Sequence, residues 1–261
     1  MERTLETVGL TKTFGAVTAA SNISVAVEQN AVVGMIGGNG AGKTTFLNLI
    51  TGYLRPSSGT IRHNGMDITA LSPRKVTQLG ICRSFQIPQI FGSMTTYENL
   101  LVGAGIAARA ARGWAKDGRQ VSDAHQAADE MLARFRLASY RDLRSSVLPE
   151  GVRKLLDIAM AMVIKPRVLL LDEPTSGVSA DEKFALMDVV FEAIRGEGVT
   201  VLFVEHDIEI VRRYARRVLA FYEGRIIADG PAQTVLNDGE VRKLVVGEEP
   251  GPVEVPGAGS C

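Results

Sequence analysis

The 261-residue chain is 46% hydrophobic and carries 29 lysine and arginine residues against 29 aspartate and glutamate residues. This length and composition predict a globular protein, and the balanced charge excludes the overall basic field that attracts nucleic acid. The sequence has neither an apolar run near the roughly 18 residues that cross a bilayer nor a secretion signal at its first residues, so any membrane role is predicted to be peripheral.

The first part of the chain carries a β pattern and one notable aromatic residue. Residues 5–36 alternate apolar and polar positions, which predicts an antiparallel β layer. Phe14 precedes a turn glycine, Gly15, and its ring has two possible roles. It stacks on a nucleotide base, or it is an ordinary core or surface phenylalanine, which is the commoner case for this residue type.

The stretch Gly37–Thr45 (GGNGAGKTT) organises the rest of the chain, with the spacing G-x-x-x-x-G-K-T. A short apolar strand is predicted before it and a helix after it. Glycines let the backbone wrap around phosphate oxygens, and the following helix adds its positive end. Lys43 is expected to neutralise the β- and γ-phosphates and Thr44 to coordinate Mg²⁺. The motif therefore predicts a nucleoside triphosphate site formed by Gly37, Gly38, Asn39, Gly40, Ala41, Gly42, Lys43, Thr44 and Thr45.

Residues 55–86 are predicted to contain a hairpin, a helix and a core strand. The Asn64-Gly65 pair marks a tight turn, so His63 is expected at the surface. Ser72-Pro73 opens the helix, and Ile81 to Phe85 forms the strand. Gln86 ends that strand and is either a loop residue or part of a ligand site, since ligands gather where parallel strands end. Of the two cysteines, Cys82 is expected to be a buried thiol and Cys261 a tail thiol, as in a reducing cytoplasm.

The pattern turns helical from Thr95 to Arg144. Within it, residues 103–120 are predicted to form a loose, partly helical insertion that contains Trp114. Its four basic residues are either solvated or contact lipid headgroups or a partner: Arg109, Arg112, Lys116 and Arg119. His125 is expected to face water.

Two further core strands are predicted to end in titratable side chains. After an apolar helix over 152–164, the run Val168 to Leu171 ends in Asp172-Glu173, where Asp172 can hold Mg²⁺ and Glu173 can polarise a water. After a helix over 181–195, the run 200–204 ends in Glu205-His206-Asp207, so His206 reaches the same edge. A hairpin over 218–229 and a short helix from Pro231 are predicted to complete the core, and a disordered tail to follow at 248–261.

The order and spacing of these motifs over residues 5–247 resemble those of an ATP-binding cassette (ABC) protein. The resemblance implies an α/β fold: a P-loop NTPase (RecA-like) core with an antiparallel β layer and an inserted α-helical subdomain. The ABC ATPase domain is expected to span 1–247, with its core at 1–92 and 156–247 and the helical subdomain at 93–155.

The resemblance also implies roles for single residues. Phe14 is similar to the aromatic residue that stacks on adenine. Gln86 resembles the glutamine that contacts Mg²⁺ or the attacking water and lines the groove for the membrane subunit. Asp172 and Glu173 resemble the metal-binding aspartate and the catalytic glutamate, and His206 the histidine that contacts the γ-phosphate. Residues 176–179 lie where the family has its inter-subunit loop.

One motif departs from the family. Its signature, ideally Leu-Ser-Gly-Gly-Gln, is Leu148-Pro149-Glu150-Gly151-Val152 in this chain, without the serine hydroxyl and the glutamine amide. In the family this segment binds the partner's γ-phosphate across a dimer interface. The helix start that contains Pro149 and Gly151 is therefore expected to contact ATP through its backbone N–H groups, in a weaker site.

Within the family, the stretches around Gln86 and His206 and the 103–120 insertion resemble the longer ATPase subunit of branched-chain amino acid importers. This resemblance implies ATP and Mg²⁺ as cofactors, two transmembrane permeases, a second ATPase subunit, and indirectly a solute-binding protein, at the cytoplasmic face of the inner membrane. Three alternatives stay open: an importer of urea or short amides, a lipopolysaccharide-export type ATPase, and a nucleotide-binding regulatory module without turnover.

Overall fold

The computed structural model describes residues 2–112 and 118–247, whose strands form two sheets. The smaller sheet is antiparallel, with the order β2-β1-β4-β5, and confirms the predicted antiparallel layer. Its strands, numbered in chain order, are β1 (Arg3–Phe14), β2 (Val17–Glu28), β4 (Ser58–His63) and β5 (Met66–Asp67).

The larger sheet has six strands in the order β10-β9-β3-β8-β7-β6. Five of them are parallel, and only the last strand in the chain runs antiparallel to its neighbour. The strands are β3 (Val32–Gly37), β6 (Ile81–Ser84), β7 (Val168–Asp172), β8 (Thr200–Val204), β9 (Arg217–Tyr222) and β10 (Arg225–Pro231). Because the parallel strands point the same way, the residues that follow β3, β6, β7 and β8 meet at one edge.

The helices of the described residues include long elements in the middle of the chain and short ones near its end. They are α1 (Lys43–Ile50), α2 (Pro73–Gln78), α3 (Thr96–Arg112), α4 (Gly118–Arg134), α5 (Glu150–Met162), α6 (Ala180–Ile194), α7 (Ile208–Tyr214), α8 (Ala232–Leu236) and α9 (Gly239–Val241), with a π-helical turn at Arg242–Val246. Over the two described ranges, no helix combines the length and the apolar character needed to traverse a bilayer.

The parallel sheet separates two hydrophobic cores. Successive residues of β7 alternate between them: Val168 and Leu170 face the core shared with the antiparallel sheet and α1, and Leu169 and Leu171 face the core shared with α5 and α6. All residues of β7 and β8 are buried, as expected for strands covered on both faces. The fold class predicted from the sequence is confirmed.

Three expectations need correction. His63 is buried rather than in a surface turn: it ends β4, and its ring nitrogens lie 2.7 Å from the Thr4 carbonyl oxygen and 3.2 Å from that of Leu79. The turn begins one residue later, at Asn64 and Gly65, which both have positive φ. The apolar helix begins at Glu150 rather than at residue 152, and Gln86 lies two residues beyond the strand that it was expected to end.

The 103–120 segment is more regular than predicted. Its described residues, 103–112 and 118–120, belong to α3 and α4, which pack against each other. The alanine-rich composition favours this because alanine has the highest helix propensity. His125 is exposed, as expected, and lies 2.7 Å from the Tyr97 hydroxyl.

Several predictions fall outside the described residues or are untested. Those on Trp114, the tail 248–261 and Cys261 lie outside them. The structure does not describe the side chains of the four basic residues of the 103–120 segment either, so both interpretations of those residues stay predictions. Cys82 is buried, and burial raises its pKa to about 12. The division into a core at 1–92 and 156–247 and a helical subdomain at 93–155 stays a prediction, and its second boundary falls inside α5.

Candidate functional site

The loop between β3 and α1 is built around two glycines that no other residue can replace without strain. Gly37 has φ 158°, and a Cβ there would lie 2.6 Å from the Phe221 carbonyl oxygen. Gly42 has φ 102°, and a Cβ there would lie 2.6 Å from the Ala19 carbonyl oxygen. Gly38 and Gly40 between them have open space where a side chain would project. The backbone thus forms an open turn at the start of a helix, which is a favourable site for an anion.

Lys43 is buried in this loop, although it carries a charge. Its Nζ donates to the carbonyl oxygens of Gly37 at 2.6 Å and Gly38 at 3.0 Å. Burial lowers the pKa of Lys43, while the carboxylates of Glu173 and Asp172 oppose that shift. The ammonium therefore lies among the loop carbonyls and the two acids that the sequence singled out.

Asp172, the last residue of β7, forms a buried ion pair. Its Oδ2 lies 2.5 Å from a guanidinium nitrogen of Arg83, and both side chains are almost fully buried. Arg83 also donates to Asn48 Oδ1 in α1 at 2.6 Å, and its Nε has no partner among the described residues. This pair links the phosphate-loop helix to the strand that carries the acids, and sequence reasoning missed it.

Glu173 is the centre of the site. Its Oε2 accepts a hydrogen bond from Gln86 Nε2 at 2.8 Å, and its Oε1 lies 2.9 Å from His206 Nε2. The three residues that the sequence assigned to catalysis are therefore in direct contact. Glu173 also has φ 51°, a left-handed conformation that a glutamate adopts only when its surroundings fix it.

Two side chains on α5 hold the loops of this site, and sequence reasoning missed both. Lys154 Nζ donates to the carbonyl oxygens of Gln86 and Glu173, each at 3.1 Å. Asp157 accepts the N–H groups of Phe85 at 3.1 Å and Gln89 at 2.9 Å. The available signal was one lysine and one aspartate, three residues apart, with the aspartate inside the apolar run that ends the helix.

Burial shifts the pKa values of both Lys154 and Asp157. It lowers the pKa of Lys154, against the opposing effect of carboxylates at Glu150, Glu205, Asp157 and Glu173. It raises the pKa of Asp157 from 3.8 to about 6, against the opposing effect of the two N–H donors and Lys154. Burying these two charged groups costs free energy, which favours a role for them beyond packing.

Glu205 supports the loop after Glu173. Its Oε1 accepts the backbone N–H of Thr175 at 2.9 Å and the Thr175 hydroxyl at 2.8 Å. Burial raises the pKa of Glu205, and these hydrogen bonds oppose the rise. The strand end that delivers His206 thus also fixes the chain that follows Glu173.

The segment 148–152 forms the start of α5, as the sequence suggested. Leu148 is buried, Pro149 is the N-cap residue and Gly151 lies in the first turn. Glu150 places a carboxylate in the same turn, and Arg153 donates to it at 2.5 Å. The helix start therefore offers backbone donors together with a negative charge that the family motif lacks.

Phe14 ends β1 and is 48% exposed, and Lys12 Nζ lies 5.0 Å from its ring centroid. The phosphate loop touches the neighbouring strand at Gly42 and Ala19, so the hairpin that carries Phe14 lies beside the loop. An exposed ring at this place is compatible with stacking on a base, and it does not contact Gln86, Glu173 or His206.

The donor set fits a hard divalent cation. Thr44 offers an exposed hydroxyl at the start of α1, Asp172 a carboxylate, and Gln86 an amide oxygen, and Mg²⁺ prefers oxygen ligands together with substrate phosphates. No cluster of three or more histidine, cysteine, aspartate or glutamate side chains that could hold a metal occurs among residues 2–112 and 118–247.

Comparison with known proteins is consistent with this geometry. The model of a family described as ABC transporter matches residues 20–176. The high-affinity branched-chain amino acid transport ATP-binding protein BraF of Pseudomonas aeruginosa is 34% identical over 254 residues, which cover 94% of this chain and 98% of that protein. The probable branched-chain amino acid transport ATP-binding protein LivG of Archaeoglobus fulgidus is 32% identical, covering 96% and 98%.

Solved structures give the same result. A nucleotide-free ATP-binding cassette from an ABC transporter superimposes with a TM-score of 0.80 at 30% identity, covering 93% of this chain and 98% of that one. A cassette solved in its ADP conformation gives a TM-score of 0.79 at 29% identity, covering 95% and 100%.

Proposed function

The chain belongs to the ABC transporter family, and from that membership we propose that it is the subunit that binds and hydrolyses ATP to power a membrane transporter. The loop 37–45 binds the phosphates, Phe14 stacks on the base, and Glu173 is the catalytic base. The contact of Glu173 with both Gln86 and His206 is the observation that carries this proposal.

Hydrolysis at this site needs phosphate binding first. The start of α1 supplies backbone N–H groups for the phosphates, and Lys43 exchanges the carbonyl oxygens of Gly37 and Gly38 for phosphate oxygens. Thr44, Asp172 and Gln86 would hold Mg²⁺, which when bound supplies positive charge next to the phosphate oxygens.

Glu173 then acts on the attacking water. Its carboxylate accepts the proton of the water as the oxygen approaches the γ-phosphorus, while Gln86 and His206 hold the two carboxylate oxygens in place. The His206 side chain is 44% exposed, and its second proposed role is to contact a γ-phosphate oxygen. The released phosphate leaves ADP in the loop.

The transported solute is proposed from the relatives. Both proteins named above are described as serving branched-chain amino acid transport, and this chain matches each over more than nine-tenths of its length. We therefore assign the chain to an importer of branched-chain amino acids, with two permeases, a second ATPase subunit and indirectly a solute-binding protein. It is proposed to work at the cytoplasmic face of the inner membrane, without nucleic acid as a partner.

The test is ATP hydrolysis by the purified protein, followed by uptake in vesicles. The wild type should bind ATP and release phosphate in a Mg²⁺-dependent way. Lys43→Met should lose ATP binding, whereas Lys75→Met, at an exposed position on α2, should retain it. Reconstitution of the protein with its permeases, second ATPase subunit and solute-binding protein should give ATP-dependent leucine uptake. Hydrolysis without leucine uptake, but with urea or short-amide uptake, would reassign the solute, and binding without hydrolysis would favour a regulatory module.

A further inference from the structure

Helix α5 contacts both loops that carry proposed catalytic side chains. One turn into the helix, Lys154 bridges the main-chain carbonyl oxygens of Gln86 and Glu173, at 3.1 Å each. One turn further, Asp157 accepts two N–H groups of the loop over residues 85–89. Lys154 is therefore the side chain that contacts both loops, and Asp157 contacts only one.

We propose that Lys154 is a positioning residue that fixes the Glu173 carboxylate and the Gln86 amide relative to α5, and so to the segment 148–152 at the start of that helix. This inference rests on the proposed function, because the roles of Gln86 and Glu173 come from it.

The chemistry at position 154 favours a lysine ammonium. Lys154 is 3% exposed, and its two carbonyl partners follow different strands of the sheet, Gln86 after β6 and Glu173 after β7. An ammonium has three donors that radiate from one atom, so it can serve two carbonyl groups at once. A neutral apolar side chain of the same length would leave both carbonyl groups without this donor.

Glu173 depends on such a contact more than an ordinary residue does. Its left-handed φ of 51° is strained for a glutamate, and it persists only when several hydrogen bonds fix the backbone. The N–H group of Glu173 donates to the Val204 carbonyl oxygen at 3.1 Å, and its carbonyl oxygen accepts from Ser176 N–H as well as from Lys154. Removing Lys154 takes away the contact that ties this residue to α5.

The Lys154 contacts connect the start of α5 to the proposed catalytic residues Gln86 and Glu173. Pro149 and Glu150 begin the helix, and Lys154 lies one turn later on the same rigid element. A displacement of the helix start, for example when it meets a nucleotide bound by a second subunit, moves the Lys154 ammonium and with it the backbone of Glu173 and Gln86. Hydrolysis in one site thereby becomes sensitive to the contact made by the 148–152 segment.

The experiment uses four variants of the full chain. Lys154→Met removes the charge at nearly constant length, and Lys154→Arg keeps a cation with several donors. Asp157→Asn loosens only the 85–89 loop, since an amide has one acceptor oxygen for the two N–H groups. Lys165→Met changes an exposed lysine just beyond the end of α5 and is the matched control.

Two readouts are measured on each variant. Hydrogen exchange of the protein without added nucleotide reports protection in peptides covering 85–89 and 173–176. Steady-state hydrolysis and ATP binding report kcat and affinity separately. We expect Lys154→Met to lose protection in both peptides and about 10²-fold in kcat, with ATP affinity unchanged, because small misplacements of catalytic groups have effects of that size. Lys154→Arg should retain most of the protection in the two peptides and most of the wild-type kcat. Asp157→Asn should lose protection only in the 85–89 peptide.

Two results would overturn the inference. Lys154→Met with wild-type protection at 173–176 and wild-type kcat would show that Glu173 does not depend on Lys154. Equal loss of protection across the whole chain in both Lys154→Met and Lys154→Arg would show that Lys154 serves stability alone. Failure of the proposed function looks different, since the wild type itself would then not hydrolyse ATP, whereas the exchange readout would still decide whether Lys154 ties the two loops together.

Discussion

Gln86 Nε2 donates a hydrogen bond to Glu173 Oε2 over 2.8 Å, although the two residues are 87 positions apart. The contact forms because β6 and β7 are parallel neighbours, so the residues that follow them leave the sheet at the same edge. His206 reaches the other carboxylate oxygen from the end of β8. The arrangement makes the orientation of Glu173 depend on its two neighbours, which leads to the first prediction.

His206→Ala should lower kcat by about 10²-fold and leave ATP binding nearly unchanged, because the imidazole contacts Glu173, whereas the loop 37–45 is proposed to supply most of the phosphate binding. Phosphate release and nucleotide binding are measured on the same preparation. His125→Ala is the matched control, since His125 is an exposed histidine on α4 whose ring contacts Tyr97. Equal rates in both variants would remove His206 from the mechanism.

The second prediction concerns the loop after Gln86. Ile87 is 75% exposed and Phe91 47% exposed, and monomeric proteins seldom present such side chains together without a use. Phe91→Asp should release the subunit from its permeases in a pull-down while ATP binding stays intact. Val121→Asp, at a 61% exposed position on α4, should leave assembly unchanged. Retained assembly of the Phe91 variant would place the permease contact elsewhere.

The third prediction concerns the charge at the start of α5. Glu150 puts a carboxylate in the first turn, where a phosphate from a second subunit is expected, and Arg153 only partly offsets it. Glu150→Gln should raise the ATPase rate about twofold to fivefold, since such charges at helix ends contribute about 0.3–1 kcal/mol. The gain should appear only at protein concentrations where dimers form. A rate that is unchanged at every concentration would mean that this helix start does not face nucleotide.

The fourth prediction follows from Asp157, whose pKa burial raises to about 6. A carboxyl with a raised folded-state pKa binds more protons in the folded state, so its contribution to the free energy of unfolding falls as pH rises from about 4 to about 6. The free energy of unfolding of the wild type should therefore fall by up to about 3 kcal/mol relative to that of Asp157→Asn over that range. Urea unfolding of both proteins from pH 4 to 7.5 measures the difference. A constant difference would contradict the raised pKa.

The sequence predicted the parts of the site that depend on motif and strand direction. Gln86, Glu173 and His206 each follow a recognisable buried strand, and parallel strands bring such residues together. The sequence could not predict the Arg83 to Asp172 ion pair, because it depends on the register of the neighbouring strands β6 and β7. It could not predict the bridge from Lys154 either, because those contacts depend on how α5 packs over the sheet. His63 was misplaced because the turn begins one residue later than the hairpin pattern suggested.

The central claim is that Glu173 is the base for ATP hydrolysis, and Glu173→Gln tests it most directly. The amide keeps the shape and the contact with Gln86 but cannot accept a proton from water. Nucleotide binding and phosphate release are measured together on the wild type and on this variant. The account predicts ATP binding equal to that of the wild type with turnover lost, and phosphate release at the wild-type rate would contradict it.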